Sequence, residues 1–344
     1  MDFQIIRILL LTSLSFIFAF LCTPILTHFL YKYKLGKQIR NNGTTPIFTA
    51  LHLHKSGTPT MGGMLIWGSL LFFIAVFYYL GKIFPTLTGF NFFSRAETLL
   101  PLGIFIFSAA VGLVDDWLDI RGKGKGGLRM KHRLFIYATI ATLGAIWFYF
   151  KLDWTTLHIP FLGNFEIGAW YIPFFVFVIV GTAFSVNATD GLDGLAGGTL
   201  LFSFASYAII AFALGRYDLA AFCGVIMGAL LAFLWFNIAP ARFYMGDTGS
   251  MGMGITLGVI ALLTNTAFIL PFIGLIFVIE TLSVAIQMTS KKLRKGKKVF
   301  ISSPIHHHFQ AIGWPETKIV MRFWVIAGVS SAIGLIIFLL DRSF

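Results

Sequence analysis

Acidic residues are scarce in this chain, and several of them lie in short polar runs beside apolar segments. The 344 residues include 26 basic and only 14 acidic side chains. Asp115 and Asp116 are adjacent at the end of one apolar segment, and Asp247 directly precedes another. Adjacent like charges repel, and carboxylates at a helix C-terminus oppose the helix dipole, so these positions call for a cation. Mg²⁺, a hard ion that prefers oxygen ligands, is the natural candidate.

A second acidic run, NATDGLDG, spans residues 187–194. Asn187, Asp190 and Asp193 recur every three residues, so a helical turn would place them on one face. The run contains no Lys or Arg, which leaves its acids without local partners, and its glycines let backbone approach a ligand closely. This density of polar groups exceeds what an ordinary turn needs and favours a binding site.

Anion-binding groups accompany the acids. In the run KSGTPTMGG (residues 55–63), Lys55 supplies a positive charge, while Thr58, Thr60 and the glycines precede an apolar helix. Backbone N–H groups at a helix N-terminus favour anions, so the run predicts a phosphate-binding turn. It is not a Walker A loop, because no Gly-Lys-Ser/Thr follows the glycines.

Further polar groups lie near the end of the chain. Glu280 precedes Lys291 by eleven residues and therefore lies about 16 Å deep in its helix, with Gln287 on the same face. An ionisable group at that depth is either functional or paired inside the bundle. His306, His307 and His308 follow the next basic run. Three consecutive histidines without cysteine rarely bind zinc, so contact with phosphate is the better interpretation.

Each run also has a plain structural explanation. The Asp115–Asp116 pair could form solvated end caps or salt bridges to the basic loop that follows. Asp247 could cap the N-terminus of its helix. Residues 55–63 could be a helix cap with a turn, residues 187–194 an ordinary turn, and the histidines a solvated loop.

The elements that must position these residues are membrane helices. The chain is 57% hydrophobic and 12% charged, whereas soluble domains carry about 25% charge, so an ordinary soluble or disordered protein is excluded. A helix that crosses the bilayer needs about 20 mostly apolar residues. We therefore predict an all-α polytopic membrane protein, a single domain over residues 1–344, with about ten transmembrane helices. They lie in the stretches 5–30, 61–80, 98–116, 131–150, 170–186, 195–213, 217–236, 249–264, 267–290 and 319–340.

The basic residues predict the orientation. Twenty of the 26 Lys and Arg residues fall in or beside the odd-numbered loops. By the positive-inside rule these loops are cytoplasmic and both termini are periplasmic, so all the polar runs share the cytoplasmic face. The basic excess is thus explained by topology, and no nucleic-acid partner is expected. Residues 155–167 alternate apolar and polar around Gly163-Asn164, which predicts a small periplasmic β-hairpin.

Carboxylates and anion-binding groups on one membrane face fit Mg²⁺-assisted phosphoryl transfer, in which positioning and charge stabilisation do most of the catalysis. The membrane location implies that one substrate is a lipid. A transporter of anionic substrates is an alternative from another class, motivated by Glu280 and the number of helices. Transporters, however, place polar groups at the midplane of several helices, whereas here they gather at one face.

The runs together resemble a known enzyme family. KSGTPTMGG, the aspartate pair, NATDGLDGLAGG (187–198), FNIAPARFYMGDTGS (236–250) and PIHHHF (304–309) are similar to motifs of the polyprenyl-phosphate N-acetylhexosamine-1-phosphate transferases, in family order along the whole chain. The resemblance implies a homodimeric enzyme of the bacterial inner membrane whose active site faces the cytoplasm. The wording TPTMGG and HHHF favours the branch that joins UDP-N-acetylmuramoyl-pentapeptide to undecaprenyl phosphate, giving lipid I and UMP. A sister branch that uses UDP-N-acetylglucosamine is the alternative.

The resemblance also implies roles for individual residues. Asp247 resembles the Mg²⁺ ligand of the family, and Asp115 and Asp116 resemble its essential aspartates, which are further candidates for metal binding. One of the pair, Asp115 rather than Asp116, is implied to deprotonate the lipid phosphate or to hold it with the metal. The implied substrate positions are Lys55, Gly191, Leu192, Asp193 and Tyr244 at the uracil; Thr60, Asn187, Asp190 and Gly246 near the ribose and diphosphate; and Asn237, Ser250, Gln287, His306, His307 and His308 as other lining residues, with His307 foremost among the histidines.

Three positions depart from the family pattern. Position 119 is Asp where the family usually has Lys, and the lost cation is expected to weaken phosphate binding unless Lys123, Lys125 or Lys131 replaces it. Gln310 stands where the family usually has Glu. Tyr244 stands where Phe is typical, a change that preserves stacking on a base.

Overall fold

The structure, a computed structural model, describes residues 1–36, 55, 57–95, 97–122 and 127–343, most of which are helical. Lys123 and Lys125, two of the predicted replacement cations, lie outside the described residues. The α-helices of the described part are α1 (Asp2–Lys32), α2 (Met64–Ile83), α3 (Leu99–Arg121), α4 (Met130–Lys151), α5 (Tyr171–Thr189), α6 (Leu195–Ala213), α7 (Tyr217–Asn237), α8 (Asp247–Leu263), α9 (Leu270–Ile273), α10 (Leu275–Leu293), α11 (Ile305–Ala311) and α12 (Glu316–Asp341).

Eight helices of the described residues, α1 to α7 and α12, are long and apolar enough to cross a membrane. All ten predicted stretches are helical, and the prediction of an all-α polytopic membrane protein is confirmed. The other two stretches form α8, which has 17 residues, and α10, which carries Glu280, Gln287 and two lysines among its 19.

The stretch at 267–290 differs from the prediction because it is not one helix. It forms the single turn α9 and the longer α10, separated at Gly274, whose φ of −100° and ψ of 33° are not helical. Pro271 lies in the first turn of α9, where its missing N–H group is tolerated. The membrane stretch therefore begins with a short turn, and α10 starts at Leu275.

Helix α8 is the centre of the bundle. Every residue from Thr248 to Leu263 is buried. Its glycines permit this enclosure: a Cβ at Gly254 would lie 2.8 Å from the carbonyl oxygen of Thr182 on α5. Small residues let helix backbones approach closely inside a membrane, where packing rather than the hydrophobic effect drives association. The start of α8 is consequently fixed against its neighbours, and this start carries Asp247.

The predicted hairpin is confirmed. β1 (Thr156–Ile159) and β2 (Gly163–Glu166) pair antiparallel, with Ile159 opposite Gly163. Gly163 has a φ of +89°, which favours glycine in this turn. The hairpin is fastened to the last turn of α12, since Asp341 accepts a hydrogen bond of 2.7 Å from the backbone of Phe161 and contacts His158 at 2.5 Å.

Candidate active site

Most of the predicted site residues lie where α3 and α5 end and where α2 and α8 begin. Asp115 and Asp116 lie about one and a half turns before the end of α3, and both are buried, with 2% and 4% of their surface exposed. The alternative of solvated end caps is therefore wrong, whereas the alternative of a salt bridge to the basic residues that follow is confirmed for Asp115, which contacts Arg133. The two neighbours point to different partners and have different environments.

Asp116 holds the N-terminus of α8. Its carboxylate accepts hydrogen bonds from the backbone N–H of Asp247 at 3.1 Å and of Thr248 at 2.9 Å, and from the Thr248 hydroxyl at 2.6 Å. The Thr60 hydroxyl donates a weaker bond of 3.3 Å. Both oxygens of Asp116 are thus engaged with neighbouring elements. A carboxylate at this position stabilises the positive end of the helix dipole.

Glycines make this close arrangement possible. Gly246, directly before α8, has a φ of +71°, and a Cβ there would lie 2.4 Å from both Asp116 Oδ2 and Thr60 Oγ1. A Cβ at Gly63 would lie 2.3 Å from the Cα of Gly249, at the point where the starts of α2 and α8 touch. Gly246 was predicted to lie near the diphosphate. Its positive φ and the lack of room for a Cβ are a separate, structural reason for glycine at this position.

The anion-binding interpretation of residues 55–63 is wrong for four backbone N–H groups of this run. Thr58 donates to Lys55, Thr60 to Leu35, Gly62 to Tyr244 and Gly63 to Met245. These donors are already bound to carbonyl oxygens, because the segment pairs with the chain that precedes α8. The alternative of a turn leading into a helix is confirmed.

Asp115 and Asp247 share one cation, the guanidinium of Arg133 in the first turns of α4. Arg133 Nε lies 2.7 Å from Asp115 Oδ2, while Nη1 and Nη2 lie 3.2 and 2.6 Å from the two oxygens of Asp247. The other oxygen of Asp115 accepts a hydrogen bond of 2.5 Å from the backbone of Leu128. Asp247 is the first residue of α8, but its side chain points to the arginine rather than capping its own helix.

Asn187, at the end of α5, completes this cluster. Its amide donates a short hydrogen bond to Asp247 Oδ1 and another of 3.1 Å to Ser250 Oγ, and its oxygen accepts from Arg133 at 3.3 Å. Ser250 in turn donates to the carbonyl of Gly246 at 3.0 Å. The structure thus brings the predicted residues Asp115, Asn187, Asp247 and Ser250 together around Arg133.

Asp193 belongs to a second cluster. Lys55 Nζ lies 2.7 Å from Asp193 Oδ1 and 2.5 Å from Glu316 Oε1, and Glu316 also accepts a hydrogen bond from the backbone of Asp193 at 2.7 Å. The prediction that Asn187, Asp190 and Asp193 share one helical face is wrong, because α5 ends at Thr189. The chain then turns, and Asn187 and Asp193 reach different partners.

The loop at this second cluster is fixed by Asn237. Its side chain accepts a hydrogen bond of 2.9 Å from the backbone of Gly194 and donates one of 2.8 Å to the carbonyl of Phe243. Asp193 accepts a further bond of 3.0 Å from the backbone of Ala241. Asn237 therefore joins the turn after α5 to the segment before α8.

Glu280 is paired inside the bundle, which was one of the two interpretations that its depth in the helix allowed. Its carboxylate contacts His306 Nδ1 at 2.9 Å, and both side chains are fully buried. The other ring nitrogen, Nε2, has no hydrogen-bond partner among the described residues. A Cβ at Gly191 would lie 2.3 Å from it. Burial, with a smaller contribution from Lys55, lowers the pKa of His306 from 6.5 to about 3, so the ring is neutral.

The remaining predicted residues surround these clusters. Tyr244 is partly buried near Thr58, and burial raises the pKa of its hydroxyl. His307 Nδ1 contacts Gln310 at 2.8 Å, and His308 Nδ1 accepts from the backbone of Ile301 at 3.3 Å. The amide of Gln287 bonds to the backbone of residues 299 and 300. Leu192 is buried in an apolar cluster with α12, and Asp190 directly follows the last residue of α5. Asp119 is buried in the last turns of α3, whereas Lys131 is exposed at the start of α4.

The carboxylate oxygens around Arg133 are suitable ligands for a magnesium ion. Within the part of the chain that the structure describes, no three His, Cys, Asp or Glu side chains form a ready-made metal cage. Mg²⁺, however, is usually bound by one or two carboxylates together with water and substrate phosphates. Asp247 and Asp115 meet that requirement, whereas Asp116 is engaged at the start of α8.

Sequence analysis missed two charged partners. Arg133 was used only to predict the orientation of the helices, and Glu316 was not predicted to be a site residue. A signal for Arg133 exists: it is a cation in the first turn of a helix, where the dipole disfavours it, so a strong local anion is required. Glu316 lies at the start of α12, where a carboxylate is ordinary, and its sequence context gives no comparable signal.

Comparison with known proteins gives the family of this chain. Residues 98–265 match glycosyl transferase family 4. The phospho-N-acetylmuramoyl-pentapeptide-transferase of Chloroflexus aggregans is 37% identical over 96% of this chain and 89% of that relative. The enzymes of the same name from Desulforapulum autotrophicum and Clostridium perfringens (strain 13 / Type A) are 39% and 40% identical over 93% and 94% of this chain, and over 89% and 96% of their own lengths. This chain therefore belongs to the phospho-N-acetylmuramoyl-pentapeptide transferases, a family of membrane enzymes within glycosyl transferase family 4.

Proposed function

We propose that this protein transfers phospho-N-acetylmuramoyl-pentapeptide from UDP-N-acetylmuramoyl-pentapeptide to undecaprenyl phosphate in an Mg²⁺-dependent reaction that yields lipid I and UMP. In this proposal it is a homodimer in the bacterial inner membrane, with both termini periplasmic and the active site facing the cytoplasm. Membership of the family and the membrane helices support the activity, and the loop charges support the orientation.

The observation that carries the proposal is the convergence of Asp115, Asn187 and Asp247 on one cation. These residues come from α3, α5 and α8, and they enclose Arg133 within hydrogen-bond distance. Two carboxylates with one guanidinium leave a net negative charge in a largely buried site. A divalent cation with a diphosphate would balance that charge, which is the composition of a phosphoryl-transfer site.

The chemistry is a displacement at phosphorus. An oxygen of the lipid phosphate bonds to the phosphorus that carries the sugar, and the bond from that phosphorus to the bridging oxygen breaks. The electron pair leaves with UMP. Bound Mg²⁺ supplies neutralisation of the diphosphate charge. Asp247 and Asp115 are the residues that would hold it.

The two aspartates on α3 then have different roles. Asp115 faces the cation cluster and is assigned to orienting the lipid phosphate together with the metal. Asp116 is assigned to positioning, because both of its oxygens already bond to the start of α8 or to Thr60. This assignment follows the preference for Asp115 that the family resemblance implied, and the contacts of Asp116 support it.

The second cluster is assigned to the nucleoside end. Lys55, Asp193 and Glu316 form a buried polar group beside Tyr244, whose ring offers a surface for stacking on uracil. Gly191 and the neighbouring backbone lie against His306, whose free Nε2 is a hydrogen-bond acceptor or donor for a base. Asn237 holds the turn after Asp193 against the segment that carries Tyr244, through its bonds to the backbone of Gly194 and Phe243.

The test is release of UMP by the purified full-length protein in detergent. We expect release from UDP-N-acetylmuramoyl-pentapeptide only when undecaprenyl phosphate and Mg²⁺ are both present, and little release from UDP-N-acetylglucosamine. Asp247→Ala should lose activity while remaining folded. A preference for UDP-N-acetylglucosamine would assign the sister reaction, and normal turnover by Asp247→Ala would contradict the metal assignment.

A further inference from the structure

Arg133 occupies the position that a metal ion would share with Asp115 and Asp247. Its three nitrogens each contact a carboxylate oxygen, at 2.7 Å for Nε, 3.2 Å for Nη1 and 2.6 Å for Nη2. The side chain is 13% exposed, and those of Asp115 and Asp247 are 4% and 14% exposed. The guanidinium is therefore a built-in counter-cation and not a surface ion pair.

Both carboxylate oxygens of Asp247 already accept hydrogen bonds. Oδ1 already accepts from Arg133 Nη1 and from Asn187, and Oδ2 accepts from Nη2. An incoming Mg²⁺ would have to bind these oxygens at about 2.1 Å, next to a positive charge that cannot be deprotonated. Two cations on the same pair of carboxylates repel each other strongly in a site of low dielectric.

We propose that Arg133 is an internal competitor of the divalent metal: it neutralises Asp115 and Asp247 in the absence of nucleotide, and metal binding requires the guanidinium to leave at least one of them. The diphosphate of the nucleotide would be the new partner of the Arg133 guanidinium, because a guanidinium binds phosphate oxygens in the same bidentate manner as carboxylate oxygens. The inference rests on the proposed function for the diphosphate, but the competition itself concerns only the carboxylates and the metal.

Competition predicts coupling between metal and diphosphate. Without nucleotide, metal binding has to displace the arginine and is weak. With nucleotide, the arginine moves to the phosphates and the carboxylates become available. Since coupling is reciprocal, metal should also strengthen nucleotide binding by the same factor. Arg133 would thus prevent the site from holding metal until substrate arrives.

The experiment measures Mn²⁺ binding to the purified full-length protein by electron paramagnetic resonance, with Mg²⁺ competition and thermal unfolding as second readouts. No substrate turnover is involved. We expect Arg133→Gln to bind Mn²⁺ at least about tenfold more tightly than the unchanged protein, a change of about 1.4 kcal/mol. Its melting temperature should be lower without metal and should recover on addition of metal, which then supplies the missing positive charge.

Arg129→Gln is the matched control. It removes the same charge from the same segment, four residues earlier, but Arg129 is exposed. Its metal affinity should remain near that of the unchanged protein, because an exposed charge is screened. Should Arg133→Gln not fold, Arg133→Lys retains the charge without the bidentate fork and is expected to show a smaller gain in affinity.

The coupling is tested with UDP as the probe. UDP should raise the Mn²⁺ affinity of the unchanged protein by a larger factor than that of Arg133→Gln. Unchanged or weaker metal binding by Arg133→Gln overturns the competition, and equal factors with UDP overturn the exchange. Failure of the UMP-release assay with normal metal competition would instead reject the proposed reaction and leave the inference standing.

Discussion

Replacing Asp115 and Asp116 one at a time by Asn separates their two assigned roles. The residues are adjacent and similarly buried, so the substitutions match in volume and in charge removed. We expect Asp116→Asn to lower stability and activity together. We expect Asp115→Asn to remain nearly as stable as the unchanged protein and to lose activity.

The magnitudes follow from the contacts. Asp116 accepts three hydrogen bonds, of 3.1, 2.9 and 2.6 Å, from the first two residues of α8. Hydrogen bonds to a charged group contribute about 1.5–3 kcal/mol each, and Asn retains one acceptor oxygen, so the loss is about 3 kcal/mol. In Asp115→Asn, the amide oxygen can keep the bond from the backbone of Leu128, and Arg133 keeps both bonds to Asp247. Only the ion pair of Arg133 Nε with Asp115 is lost, and one carboxylate still balances the guanidinium, so the expected loss is about 1 kcal/mol.

The assay is thermal unfolding in detergent alongside UMP release. For a chain of this size, about 3 kcal/mol corresponds to a decrease in Tm of roughly 4 °C or more. Asp115→Asn should keep its Tm within about 1 °C and lose about 10²-fold in turnover, as expected when a group that positions the reacting phosphate is removed. If Asp115→Asn were the less stable variant, or if Asp116→Asn were fully active, the division of roles would be refuted.

Three further predictions concern the nucleoside end of the site. Gly191→Ala should weaken UDP binding about tenfold or more by calorimetry, because its Cβ would lie 2.3 Å from His306 Nε2, while Gly181→Ala, whose Cβ meets no atom of the described chain within 4 Å, should bind normally. The contribution of His306 to stability should fall as pH decreases below about 6.5, because its pKa is lowered in the folded chain and the unfolded chain therefore takes up the proton first. Thermal unfolding of the unchanged protein and of His306→Gln across this pH range measures that contribution as the difference between the two curves. Asn237→Asp should lower Tm and UDP affinity together, because the carboxylate cannot donate to the carbonyl of Phe243.

Sequence periodicity predicted the helices and the hairpin, while the orientation inferred from the basic loops stays a prediction. The ten apolar stretches are all helical, and the hairpin lies where residues 155–167 alternate. These features are local, because hydrophobicity over about 20 residues and the distribution of basic loops determine them. The one division that was missed, at Gly274, depends on how a short turn is accommodated between α8 and α12.

The pairing of polar residues could not be predicted in the same way. Asp116 bonds to the backbone of Asp247, 131 residues later, and Lys55 pairs with Glu316, 261 residues later. Such contacts depend on how whole helices pack together, and the spacing of residues along the chain does not predict them. Asn187 and Asp193 illustrate the error that follows, since a three-residue period suggested one face but the helix ends between them.

The position of Asp247 links the structural and the chemical role of the aspartate pair. A carboxylate at the first residue of a helix would ordinarily interact with that helix's own N-terminus. Here Asp116 occupies the N-terminal N–H groups from outside, which leaves the side chain of Asp247 free to turn toward Arg133. Loss of Asp116 would release those N–H groups and allow Asp247 to cap its own helix, away from the cation. A variant at Asp116 can therefore abolish turnover without that residue ever contacting substrate, and an essential aspartate in this site is not by that fact a catalytic one.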